Sequence, residues 1–191
     1  DCSWGGMYPF AGKGLGNSGQ SAVHGGYAVG LFTITAQELL QGRIDHALGI
    51  AAACLDNPTV YPADVTTGSD YPCSDGHGKT PSAQYGQNIH LKLTPAQIAA
   101  LGYSKPCTTV LTALSVYGAY TYDDGNGGLQ ILMENALTYG PVHNPWYDII
   151  YPQMVAAGEG KGTGPNWTWR SCFDKLKADD FEIYTMPNLG Y

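Results

Sequence analysis

Apolar and polar positions along this 191-residue chain fall into short runs separated by Gly, Pro and Asp, and the period changes from run to run. Residues 22–34 (AVHGGYAVGLFTI) read as a strand pair or one bulged strand, with Gly25-Gly26 as the irregularity. Thr35-Ala36-Gln37-Glu38 has the form of a capping box, in which Glu38 reaches back to the Thr35 amide, and it predicts a short helix stopping at Gly42. Residues 43–55 (RIDHALGIAAACL) place Ile44, Leu48, Ala51 and Leu55 at helical spacing and predict a second helix, ended by Asp56-Asn57-Pro58. Residues 59–88 carry turn formers throughout and read as one long loop around Cys73.

The second half repeats the same signals. Residues 89–93 alternate as a strand does, and Thr94-Pro95-Ala96-Gln97 opens another capped helix, closed by Gly102. Val110, Leu111, Leu114 and Tyr117 predict a helix over 107–117. Residues 119–123 and 129–133 predict strands around Gly125-Asn126-Gly127-Gly128, the clearest hairpin signal in the chain. The next 35 or so residues look loop-like, with Pro141, Pro145, Pro152 and Pro165. A last helix near 171–177 leads into a strand, Phe181–Tyr184. The fold class expected is α+β: a mostly antiparallel sheet or sandwich with a few short helices and long disulfide-stapled loops. Residues 1–21 form a Gly-rich arm and 22–191 a single globular domain. The arm holds Trp4, Met7, Tyr8 and Phe10, so it is expected to dock on its own domain, on a neighbouring subunit or on an upstream segment.

Composition narrows the class. Charged residues make up 13% and the net charge is −7. Nine scattered basic residues are too few to neutralise a run of phosphates or to hold an anionic membrane surface, so neither nucleic acid nor membrane is an expected partner. No apolar stretch approaches the roughly 20 residues of a spanning helix. The chain starts at Asp1 without an initiator Met, which reads as processing upstream. Its five cysteines lack CxxC spacing and read as disulfides among Cys54, Cys73, Cys107 and Cys172, with Cys2 as the odd one. The pairing stays open. Together with the Asn166-Trp167-Thr168 glycosylation sequon, this points to a secreted, extracellular protein.

Candidate chemistry centres on Asp45 and His46, a carboxylate beside an imidazole in an apolar setting. On a helix, neighbours point about 100° apart, so a structural tie is the other reading. Asp75, in the long loop, and Asp124, at the hairpin, supply further carboxylates of the kind glycoside hydrolysis uses in pairs; both also suit ordinary turns. Trp146, Tyr147, Trp167 and Trp169 are candidate sugar-stacking rings or, equally, core plugs. No motif calls for a metal or a cofactor, and none is expected.

The runs GLFTITAQELLQGRIDHALGI, YPADVTTGSD, HLKL and LSVYGAYTYDDGNGGLQILMEN resemble the C-terminal half of a group of large secreted bacterial proteins. The group shares a G-x-I-D-H-A-L segment, a Y-P-A motif, a Y-G-x-Y…D-x-G-G hairpin and a final D-F-E strand, here Asp180-Phe181-Glu182. The resemblance covers residues 25–184. It implies an upstream segment and carries no reaction, so no functional residue comes with it. The leading functional expectation is a secreted carbohydrate-active protein, a polysaccharide hydrolase or lyase. The alternative is a non-catalytic extracellular structural or assembly subunit, or a glycan-binding module.

Overall fold

The structure is a computed structural model that describes residues 23, 25–52, 55, 56, 59–63, 83–124, 129–161, 168, 169 and 172–187, with backbone alone at 56, 124, 161, 168 and 169. The expected arm 1–21 lies outside these residues, as do Cys54 and Cys73.

Both capping boxes form. Thr35 Oγ1 accepts from the Glu38 amide and the Thr35 amide donates to Glu38 Oε2 at 2.9 Å, which starts α1 (Ala36–Gln41). Gly42 ends it at φ 82°, a left-handed conformation that costs a glycine little. Thr94 and Gln97 repeat the arrangement at α2 (Pro95–Ala100). Ser104 caps α3 (Lys105–Val116), and the buried Glu159 accepts from both the amide and the hydroxyl of Ser104. In α3, Cys107, Val110, Leu111 and Leu114 recur at helical spacing and are fully buried.

Residues 43–52 are not a helix. After Gly42 the chain is irregular with a bend at His46, and β1 (Leu48–Ala52) follows with all its residues buried. The helical spacing of Ile44, Leu48 and Ala51 is incidental: a strand covered on both faces is apolar throughout and carries no period of its own. Leu48, Ile50 and Ala52 face the main core, where Leu39 of α1, Ile98 of α2 and Leu111 of α3 meet them. Ala51 faces a second cluster with Tyr27 and Tyr122. Gly49 lies on that side too: a Cβ there would come within 3.1 Å of both Phe32 Cβ and the Tyr122 ring.

The hairpin expected at 119–133 does not form either. The strands β5 (Ala119–Asp124) and β6 (Gln130–Ile131) exist, but β1 lies between them, parallel to β5 and antiparallel to β6. The reason is burial: the strand apolar on both faces takes an interior position and parts its would-be neighbours. With β4 (Asn88–Leu91) and β9 (Phe181–Tyr184) the sheet has the order β6-β1-β5-β4-β9, and β4 is antiparallel to both β5 and β9. The sheet is therefore mixed. The α+β class and the short helices stand; instead of a sandwich, the described residues show this one sheet covered by helices, and two two-stranded ribbons. The ribbons are β2 (Leu55–Asp56) with β3 (Ala83–Gln84), and β7 (Gly160–Lys161) with β8 (Thr168–Trp169). The former puts Ala83–Gln84, inside the expected 59–88 loop, into paired backbone beside Leu55–Asp56.

Three further segments differ from expectation. The described residues of 22–34 give a bridge residue at Tyr27, a 3-10 turn at Val29–Leu31 and a bridge from Ile34 to Met133, in place of a strand pair. After Glu134 the chain is helical in part: a π-turn at Trp146–Ile150 runs into α4 (Tyr151–Ala156). The Tyr151 amide bonds Trp146 O across this π-turn, and Pro152, which has no amide to give, sits in the first turn of α4, where a helix tolerates it. Residues 172–175 form turns, and the helical element falls at Ala178–Asp180 as a 3-10 turn. No helix among the described residues is long and apolar enough to cross a membrane.

Cys107 and Cys172 form a disulfide with Cα atoms 5.2 Å apart, tying the first turn of α3 to the approach to β9. The bridge spans 65 positions. A closed loop of that length restricts the unfolded chain by about 4 kcal/mol in the chain-entropy account. The Cys107→Ala/Cys172→Ala double variant is expected to lose about 2–5 kcal/mol in urea unfolding; an unchanged midpoint would show that packing alone holds the C-terminal segment.

Candidate functional site

Two carboxylates organise the start of α1. Glu134 is brought there by the Ile34–Met133 bridge, with its own amide donating to Ile34 O at 2.9 Å. Glu134 Oε1 then accepts from the Ala36 amide, from Tyr139 Oη at 3.0 Å and from Trp146 Nε1 at 3.2 Å. Desolvation and the Glu134 carboxylate push the Tyr139 phenol up. Glu38 holds Thr35 with Oε2, while its Oε1 lies 3.0 Å from His46 Nε2. His46 Nδ1 lies 2.8 Å from Ala47 O. Both ring nitrogens thus face oxygen acceptors, and the imidazole is a tie between the α1 cap and the entry to β1.

Asp45 points elsewhere. The chain bends at His46, and the two neighbouring side chains take different partners. Asp45 Oδ1 accepts from Arg43 Nε at 2.6 Å and lies 3.5 Å from Tyr117 Oη. The bond to Asp45 raises the guanidinium of Arg43 further, so the two form an ion pair on an open surface. Lys105 supports the loop from below by donating to Leu40 O, the last turn of α1. Between the loop 42–45 and the α3 face of Thr109, Thr112, Val116 and Tyr117 lies a groove of about 250 Å³. Tyr117 is at the helix end and 39% exposed.

The other expected site residues separate. Asp75 and Trp167 lie outside the described residues. Asp124 ends β5 opposite Ala52, and Trp169 lies in β8, both known here by backbone alone. Trp146 is 1% exposed with its N–H given to Glu134, so it takes the core role and has no face open to a sugar. Tyr147 is half-buried with its ring 5.7 Å from that of Tyr151. Of the expected catalytic set, the groove holds Asp45 and not His46. Sequence reasoning missed Arg43, Thr109, Thr112 and Tyr117. A signal existed: Thr109, Thr112, Ala113 and Val116 recur at i, i+3, i+4 and i+7, a second stripe on α3 beside the buried one. Among the described residues no three His, Cys, Asp or Glu side chains converge to hold a metal ion.

Comparisons of the chain with protein-family models, with curated proteins and with solved structures give no match. Function therefore has to be argued from the site itself.

Two substitutions test the arrangement. Glu134→Ala leaves the Ala36 amide and the buried Trp146 indole without their acceptor and is expected to destabilise by about 2–4 kcal/mol. A loss under 0.5 kcal/mol by calorimetry, a value on the order of ordinary surface substitutions, would show that water replaces the carboxylate. His46→Ala is expected to cost about 1–2 kcal/mol by detaching the β1 entry from Glu38. An unchanged melting temperature would leave His46 with no structural part.

Proposed function

We propose that this chain is a secreted, non-catalytic glycan-binding module, with the groove beside Asp45 as its sugar site. The observation that carries the reading is the divergence of Asp45 and His46. The groove collects binding groups, namely an ion pair, two hydroxyl side chains and a tyrosine, while the imidazole that would act as acid or base is tied to Glu38. Glycoside hydrolysis uses two carboxyl groups roughly 5–9.5 Å apart around the scissile bond. Among the described residues Asp45 is the one carboxylate lining this groove, and it is paired with Arg43. That weighs against the hydrolase or lyase reading and favours binding. The groove is also small beside the roughly 300–1,000 Å³ of pockets that enclose a ligand, which suits contact with a short stretch of a chain that passes over the surface. The Cys107–Cys172 bridge supports an oxidising, extracellular setting.

Titrating ¹⁵N-labelled protein with a panel of oligosaccharides is expected to shift the amides of 42–45 and 109–117, with no release of reducing ends on prolonged incubation. Asp45→Ala is expected to weaken binding about tenfold or more, as loss of a charged hydrogen-bonding group does. Release of reducing ends, or shifts confined to another surface, would overturn the proposal.

A further inference from the structure

We infer that the groove selects neutral sugars through their free hydroxyl protons and disfavours uronate or sulfated ones; this rests on the glycan-binding reading of the same groove. Thr109 Oγ1 donates to Lys105 O at 2.8 Å, and Thr112 Oγ1 donates to Thr108 O at 2.7 Å. Both hydroxyl protons are spent inside α3, so each oxygen has only lone pairs left to offer a ligand. Tyr117 Oη lies 3.5 Å from Asp45 Oδ1, and the carboxylate can only accept, so the phenol proton is directed there. Among the described lining residues Arg43 is the one side chain that brings N–H donors; its Nε is given to Asp45 and its four other N–H groups remain. The other four polar side chains, Asp45, Thr109, Thr112 and Tyr117, present acceptor oxygens to the groove.

A ligand that complements this surface must supply protons. The unsubstituted hydroxyls of a neutral hexose do so, and each can also accept from the remaining N–H groups of Arg43. A carboxylate or sulfate brings oxygen acceptors without protons. It would set them against the Asp45 carboxylate and the threonine lone pairs, with Arg43 already neutralised by Asp45. Charge reinforces the selection, because the whole chain carries −7 and a polyanionic glycan approaches an acidic protein. An O-methylated sugar keeps its shape and loses its donors, so it separates proton donation from fit.

The test is calorimetric titration of the full chain with cellohexaose, with hexagalacturonate and with O-methylated cellohexaose at one ionic strength. Cellohexaose is expected to bind at least about tenfold tighter than either of the others. Thr112→Val removes one acceptor at nearly constant shape and is expected to weaken cellohexaose severalfold, while Thr112→Ser restores it at an unchanged melting temperature. Tighter binding of hexagalacturonate, or equal binding of the methylated sugar, would overturn the selection rule and leave the glycan-binding reading in place. Binding of none of the three would remove that reading and the selection rule with it.

Discussion

Everything described here hangs on the burial of β1 from both sides. Leu48, Ile50 and Ala52 fill the helical side and Ala51 the aromatic side, and Gly49 leaves the room that Phe32 and Tyr122 occupy. At about 25 cal/mol per Å² of apolar surface, a strand buried on two faces gains far more inside the sheet than at its edge. Once β1 sits between β5 and β6, the rest is constrained. The segment after β6 must run beside Ile34, which delivers Glu134 to the start of α1. The residues before β1 must cross from the end of α1 to the sheet in a short connector that bends at His46.

That connector is the candidate site. Its two ends are fixed by different physics: Gly42 closes α1 in a left-handed conformation, and His46 is held between the Ala47 carbonyl and the Glu38 carboxylate. Between two fixed ends the chain bends at His46, and neighbouring side chains take different partners. Asp45 meets Arg43 and Tyr117 at the surface; His46 turns to α1. The same geometry that stabilises the fold thereby takes the imidazole away from the groove.

The G-x-I-D-H-A-L segment reads differently once placed. Gly42 is a helix cap, Ile44 a buried anchor, Asp45 a surface ion-pair partner of Arg43, His46 a tie and Leu48 the first core residue of β1. One short run supplies a cap, an anchor, a contact, a tie and a strand start, which is why it stood out in the sequence without naming a reaction.

The sequence by itself determined what is local. Capping of α1, α2 and their closing glycines needs only residues three or four apart, and the buried stripe of α3 and the strand at Phe181–Tyr184 follow from spacing alone. Cysteines without metal spacing indicated disulfides, and the structure pairs Cys107 with Cys172. Only tertiary structure decided the state of residues 43–52, because an apolar run has no period that separates a doubly covered strand from a helix. It alone decided that β5 and β6 are parted by β1, since a hairpin signal records the turn and not what lies between the strands. It alone decided the partners of His46 and Asp45. Those partners, Glu38 on one side and Arg43 with Tyr117 on the other, are chosen by where α1 and α3 pack, and packing is a property of the whole core.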